Sequence, residues 1–131
     1  PNLAGFHPAF GRQEEIGDVK IFLSKNPAGF NESLRTVIEL NAKSILLSLN
    51  DRIPDGRDVS WIWDVDFEML PKNVTIFVTG DRALDMAVRL KYAEHCAKIV
   101  SEIPKVPNLF ILATYSAMLE IRKQLLGKKI L

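Results

Sequence analysis

Apolar positions in this chain come in two alternating kinds. Short continuous runs rich in β-branched residues lie at Val19–Leu23 (VKIFL), Ile45–Leu49 (ILLSL), Val74–Val78 (VTIFV) and Leu109–Ala113 (LFILA). Between them apolar residues recur at helical spacing. Phe30, Leu34, Val37 and Ile38 mark one face of a helix running from Pro27 to about Asn41, with Asn26 as cap and Pro27 at its first position. Leu84, Ala87, Val88 and Tyr92 mark the apolar face of a second, Arg82 to Tyr92, with Asp81 as its cap. Met118, Ile121, Leu125 and Leu126 mark a third, capped by Thr114, with Lys123, Lys128 and Lys129 suiting the dipole at its end. Lys98–Val100 reads as a short additional strand. Strands alternating with amphipathic helices predict an α/β fold, a Rossmann-like three-layer domain with a mostly parallel sheet. Residues 1–17 lack periodicity and read as an irregular lead-in or interdomain segment, leaving 18–131 as the domain. One place strains the pattern. About eight residues, including Pro104 and Pro107, separate the short strand from Leu109, whereas a parallel crossover takes a dozen or more. The short strand is then antiparallel or edge-like, or the sequence lacks residues there.

At 131 residues the chain is long enough for one domain with a core. The residues are 47% hydrophobic and 25% charged, an ordinary globular mixture, and the net charge of +1 gives no electrostatic case for nucleic acid or an anionic membrane. A single cysteine, Cys96, forbids an internal disulfide framework, fits a reducing, cytoplasmic setting and reads as a buried small hydrophobe. No apolar run reaches membrane-spanning length. The chain starts at Pro1 with what reads as mid-chain sequence, suggesting a fragment of a longer protein.

Candidate chemistry concentrates in Asn50–Glu68 (NDRIPDGRDVSWIWDVDFE), which leaves the end of a buried-type strand, where open α/β sheets place ligands. Six carboxylates, Asp51, Asp55, Asp58, Asp64, Asp66 and Glu68, and two arginines, Arg52 and Arg57, surround both tryptophans, Trp61 and Trp63. Asp55-Gly56-Arg57-Asp58 reads as a turn with a surface ion pair. The tryptophans suit either the wall of a pocket or a plug under a long loop. In an extended stretch Asp64 and Asp66 point to one side, and carboxylates beside aromatics can orient an imidazole, act as a base or bind a cation. No histidine of the chain is placed for them, so an oriented histidine would come from another chain. Lys25-Asn26-Pro27-Ala28-Gly29 ends a strand and opens a helix, and reads as an anion-holding turn or a plain Pro-Gly turn with a solvated lysine. There is no phosphate-binding glycine pattern and no metal-ligand spacing, and His95-Cys96 are neighbours that do not face each other as a nucleophile pair would.

The strings PAFGRQE (8–14), KNPAGFNE (25–32), DGRDVSWIWDVDFE (55–68), GDRALDMAVRLKYA (80–93) and LFILATYSAMLEIRK (109–123) follow one another in the order of a known family. On them the chain resembles the C-terminal domain of MurT, the Mur-ligase-like subunit of lipid II isoglutaminyl synthase, and KNPAG stands where Mur ligases carry a DYAHNP-like motif. The resemblance implies the fold of the Mur ligase C-terminal domain and a role in ATP- and glutamine-dependent amidation of the D-glutamate α-carboxyl of lipid II in peptidoglycan synthesis. It also implies docking on GatD, a glutamine amidotransferase subunit that brings a Cys and a His and takes an Asp from MurT to complete a triad. That would account for the missing histidine. Such an Asp holds the imidazole tautomer and stabilises its cation. Asp64 is the first candidate, Asp58 and Asp66 the alternatives, with Trp61 and Trp63 at the partner interface and Lys25, Asn26, Arg57 and Asp58 facing substrate or nucleotide across the domain cleft.

The resemblance implies no cofactor in this domain. ATP and Mg belong to the full-length protein, and zinc to a central domain absent here, so the isolated chain should bind no ATP tightly and catalyse nothing. The chain departs from the family in lacking that central domain, in a shortened segment before LFILATYSAML that misses a connecting helix, and in Ala113 where a proline is expected before Thr-Tyr. Two other classes remain open: a non-catalytic interaction module with the tryptophans as anchors, and a free-standing small-molecule-binding Rossmann-like domain.

Overall fold

The computed structural model describes residues 13–130, with side chains to residue 127. The lead-in residues 1–12, including His7 and most of PAFGRQE, and the side chains of Lys128 and Lys129 lie outside the described residues. Six strands form one sheet: β1 (Gln13–Ile16), β2 (Val19–Leu23), β3 (Ser44–Ser48), β4 (Thr75–Thr79), β5 (Ala97–Ile99) and β6 (Phe110–Ala113), in the order β1-β2-β6-β3-β4-β5. Every pairing is parallel except the β1–β2 hairpin. The α/β prediction therefore holds, as a mixed, mostly parallel sheet.

Central strands β3 and β6 are buried on both faces, hence their continuous apolar sequence. Phe22, Ile45, Leu47, Ile76, Val78, Phe110 and Leu112 face a core shared with α1 (Pro27–Glu39) and α2 (Ala83–Tyr92). Ile21, Leu46 and Ile111 face the opposite core, beneath α3 (Tyr115–Ile130) and the 100–109 segment. The sheet is thus the middle of three layers.

Several expectations are corrected. Residues 13–16, assigned to an irregular lead-in, form β1, and the chain turns at Gly17, whose φ of 63° lies where glycine is at ease. The short strand is an exposed edge, as one alternative had it, but it pairs parallel with β4. Its ten-residue connection to β6 holds no helix. An extended chain advances about 3.3 Å per residue against 1.5 Å in a helix, so these residues suffice to cross back under the sheet, where Ile103, Val106 and Leu109 join the core.

The second helix is turned around relative to its prediction. Ala83, Met86, Arg89 and Leu90 are buried, Ala87 is half-buried, and Leu84, Val88 and Tyr92 are 71%, 49% and 72% exposed. The helix carries two apolar stripes, and spacing alone does not tell which one meets the sheet. In α3, Met118 and Ile121 are buried as expected and Leu125 packs at the margin, but Leu126 is exposed. Cys96 is exposed, because the strand it precedes is an edge.

Candidate functional site

The C-terminal ends of β2, β6, β3 and β4 lie side by side, which brings Lys25, Thr114, Asn50 and Asp81 to one rim. Asn50 is 1% exposed and ties this rim together. Its backbone N–H donates to Thr114 Oγ1 (3.0 Å), its Nδ2 donates to Ser116 Oγ (3.0 Å), and its Oδ1 accepts from the Asp81 N–H (2.9 Å). Gly80 makes this approach possible: its φ is +100°, and a Cβ there would stand 2.6 Å from the Leu49 carbonyl oxygen.

Both expected caps at this rim do something else. Thr114 precedes α3, but its hydroxyl is taken by Asn50. The first turn of α3 is served instead by Asp55, whose carboxylate accepts from the Ser116 N–H (2.7 Å), the Ser116 hydroxyl (2.5 Å) and the Arg52 N–H (3.1 Å). Asp81 does not cap α2. Its carboxylate receives the Arg52 fork (2.9 and 3.1 Å), and Arg52 also donates to Glu120 on α3 (2.6 Å). These contacts hold the Asp81 carboxyl below the usual carboxylate range and raise the Arg52 guanidinium further above its own. Arg82 spans Asp85 (2.6 Å) and Asp51 (2.9 Å). The ion pairs of the rim thus come from Arg52 and Arg82, and among the described residues the expected ion pair within Asp55–Asp58 is not formed. Among the described residues Arg57 makes none.

No α-helix connects β3 to β4. Three short 3-10 turns do so, Ile53–Asp55, Ser60–Asp64 and Phe67–Met69. Val59, Ile62, Val65, Phe67 and Leu70 from this segment are buried in the core beneath α1. Each such side chain contributes roughly 1.5–3 kcal/mol. Trp61 belongs to this plug, its ring 5.9 Å from that of Phe30, whereas Trp63 points outward, 47% exposed and edge-on to Tyr92 at 5.1 Å. The plug reading holds for Trp61, while Trp63 lies on the surface.

Arg89 of α2 locks this segment from below. It is 4% exposed and donates to the carbonyls of Ile62 (3.1 Å) and Val65 (2.5 Å) and to Glu68 Oε1 (2.9 Å). Its guanidinium also lies over the rings of Trp63 and Phe67, 5.4 and 5.3 Å from their centroids. The hydrogen bond from Arg89 holds the Glu68 carboxyl below the usual range.

The three candidate triad acids, Asp58, Asp64 and Asp66, are all exposed, in different settings. The premise that Asp64 and Asp66 share one side of an extended stretch is overturned, since Ser60–Asp64 is helical. Asp64 ends that turn, and Asp66 follows it with its N–H bonded to Asn31 Oδ1 (2.7 Å). Asp58 accepts the Ser60 N–H (2.9 Å), which, with the Ser60 hydroxyl, lowers its pKa and keeps it ionised. Asn26 caps α1 as expected, accepting the Gly29 N–H (2.8 Å), so its side-chain oxygen is committed to the helix, and Lys25 beside it is exposed. Among the described residues the one histidine, His95, is buried with Nε2 3.0 Å from the Phe67 carbonyl oxygen and reaches none of these acids. No group of three or more His, Cys, Asp or Glu among them is placed to hold a metal, and no helix among them is long and apolar enough to cross a membrane.

Residues 23–118 match the sequence profile of the MurT ligase C-terminal family. The chain belongs to that family. It is 45% identical over 93 residues to the lipid II isoglutaminyl synthase (glutamine-hydrolyzing) subunit MurT of Staphylococcus aureus strain COL, covering 69% of this chain and 21% of the relative. It is 36% identical over an alignment 141 residues long to the subunit of the same name from Streptococcus pneumoniae R6, covering 92% of this chain and 31% of the relative. The chain thus spans less than a third of the length of either MurT relative. Among solved structures it is similar to the UDP-N-acetylmuramate-alanine ligase MurC of Thermotoga maritima, with a TM-score of 0.52 at 14% identity over 85% of this chain and 26% of that one. That likeness places the MurT C-terminal fold with a Mur ligase domain. The matched span runs from the end of β2 to the first turn of α3, so it contains Lys25, Asn50, Asp81 and Thr114 of the rim and the segment it anchors, but not Glu120.

Sequence reasoning missed Arg89, Asn50, Arg52 and the capping role of Asp55. Asn50, Asp51 and Arg52 directly follow a buried strand, which was a usable signal. Arg89 had none, because a buried arginine inside an amphipathic helix looks like a solvent-facing one.

Proposed function

We propose that this chain serves as the C-terminal domain of a MurT-type subunit in the glutamine- and ATP-dependent amidation of the lipid II D-glutamate α-carboxyl, docking a GatD-type glutaminase and lending it a carboxylate. The observation that carries the reading is an ionised, exposed Asp58, oriented by the Ser60 N–H at 2.9 Å, in a family domain whose one described histidine is buried elsewhere. A triad carboxylate must be charged, fixed and free on one oxygen to accept an imidazole N–H. Asp58 comes nearest to these requirements, ionised and exposed with Oδ1 accepting the Ser60 N–H. Asp64 and Asp66 are exposed too, and are the alternatives if the partner approaches over Trp63. In the reaction the partner's cysteine attacks the glutamine carboxamide. This chain's carboxylate keeps the partner's imidazole in the tautomer that accepts and returns the proton, and the ammonia released replaces the activated oxygen of the substrate carboxyl.

ATP chemistry fits this chain poorly. There is no glycine-rich phosphate loop, and the rim cations Arg52 and Arg82 are committed to carboxylates. Lys25, Asn26 and Arg57 would at most add contacts to a nucleotide or substrate held by the remainder of a longer protein. In the full-length protein with its glutaminase partner, Asp58→Asn should lower glutamine-dependent amidation at least a hundredfold while ammonia-dependent amidation persists. Equal glutamine-dependent rates for Asp58→Asn and wild type would remove Asp58 from the triad and pass the role to Asp64 or Asp66, tested in the same way.

A further inference from the structure

Arg89 is the charged residue of α2 that the fold buries, and its inward neighbours Ala83, Met86 and Leu90 are apolar. Taking a cation out of water is costly, and apolar side chains of similar volume commonly replace a buried ion pair at no loss of stability. The core alone therefore does not account for an arginine here. What it holds does. Its guanidinium donates to the Ile62 and Val65 carbonyls and to Glu68, and lies over the rings of Trp63 and Phe67. Five of the seven residues from Ile62 to Glu68 thus meet this one side chain. The two it passes over are Asp64 and Asp66, both exposed. Asp58 is tied to the same place, because it accepts the N–H of Ser60, the first residue of the turn whose Ile62 carbonyl Arg89 holds.

We propose that Arg89 is a positioning residue for the carboxylate lent to the partner's histidine, an inference that rests on the function proposed above. Its hydrogen bonds go to main-chain carbonyls and to Glu68, not to an aspartate, so it acts on the acids through the backbone. The turn Ser60–Asp64 needs such a tie. A 3-10 turn of five residues has poor internal hydrogen-bond geometry. Burial of Ile62 and Val65 sets how deep the turn sits, but hydrophobic contact has no direction. The planar fork of an arginine does have direction. By fixing the carbonyls on both sides of Trp63-Asp64 it sets the angle at which the acids leave the surface. A group misplaced by ~1 Å at a reacting centre can cost about a hundredfold in rate, so a distant, buried residue can govern turnover without touching the substrate.

The test uses the full-length protein with a GatD-type glutaminase, and two variants. Arg89→Lys keeps the charge without the fork, and Arg89→Gln keeps a donor without the charge. In at least one of them kcat for glutamine-dependent amidation should fall about tenfold or more. The ammonia-dependent rate, the KM for glutamine, the Kd of the complex and the Tm should stay close to wild type. A merely structural role would move these together. Adding the same change to whichever of Asp58→Asn, Asp64→Asn or Asp66→Asn abolishes glutamine-dependent turnover should cause no further loss, since residues acting as a unit are not additive. If one of those three acid variants is inactive with glutamine while both Arg89 variants keep the wild-type rate, this inference alone falls. It falls likewise if the ammonia-dependent rate or Tm drops alongside in both, or if the loss is one of Kd. If none of the three acid variants lowers glutamine-dependent turnover, the proposed function fails, and this inference with it.

Discussion

Arg89 offers the sharpest test of how the acidic segment is held. Replacing it by methionine keeps most of the side-chain volume and removes the guanidinium. Two carbonyl acceptors, on residues only 1% and 0% exposed, Ile62 and Val65, then lose their donor. A buried acceptor left unsatisfied costs about 1–3 kcal/mol, so the pair accounts for roughly 2–6 kcal/mol. The bond to Glu68 adds less than about 1 kcal/mol, since that carboxylate is 58% exposed and screened by solvent. The ring contacts with Trp63 and Phe67 are partly kept by the thioether. The expected loss is about 3–5 kcal/mol, or roughly 10–20 °C in melting temperature for a chain of this size. Urea denaturation of Arg89→Met against wild type measures it, with Glu68→Gln as the control expected to lose under about 1 kcal/mol. Hydrogen exchange should quicken most at the amides of residues 60–67. A loss below about 1 kcal/mol with an unchanged urea slope would show that water satisfies these carbonyls and that Arg89 does not hold the turn.

Asp55→Ala removes the carboxylate from the first turn of α3 and should cost about 1–2 kcal/mol, with limited proteolysis newly cutting between residues 52 and 58. An unchanged cleavage pattern would refute its anchoring role. Gly80→Ala forces a Cβ to within 2.6 Å of the Leu49 carbonyl oxygen at a φ of +100° and should destabilise by about 2–4 kcal/mol in denaturant titration, whereas Gly56→Ala, with open space around it, should cost less. The depressed pKa values of Glu68, set first by Arg89, and of Asp81, set first by Arg52, add stability at neutral pH. It is fully present above the unfolded-state values of about 4 and is lost as pH falls through the lower folded values. Acid titration of Glu68→Gln and Asp81→Asn should show shallower stability curves below pH ~5 than wild type, and matching curves would refute the pairing.

The parallel strands were legible because each is a short apolar run bounded by turn residues, and α1 because Asn26-Pro27 announces its start and only one face is apolar. The second helix was misread for a physical reason. Leu84, Val88 and Tyr92 satisfy helical periodicity as well as Ala83, Met86 and Leu90 do, and the choice depends on which stripe the sheet meets. The acidic segment was found from its composition and its place after a buried strand. Its shape was not, because 3-10 turns have no period that survives five residues, and alternating Asp and apolar residues imitate a strand. Capping was misassigned wherever the partner lay far along the chain: Asp55 and Ser116 are 61 residues apart, Asn50 and Thr114 are 64. Such contacts belong to the assembled rim rather than to local pattern.

The assembled rim also explains why an exposed aspartate can be a precise one. The segment from Asn50 to Leu70 is fixed at its start by Asn50, Arg52 and Asp55 against α3, and from Val59 onward by buried apolar side chains and Arg89. Between these anchors only Gly56, Arg57 and Asp58 lie free on the surface, and Asp58 is bonded onward to the Ser60 N–H. A loop restrained at two points so close together loses little further conformational entropy when a partner orders its apex, since flexibility grows with the length left unrestrained. A carboxylate donated across a subunit boundary must arrive in register with an imidazole it does not share a chain with. Anchoring the loop to a helix and a sheet of its own domain is how this fold can present that group already in place.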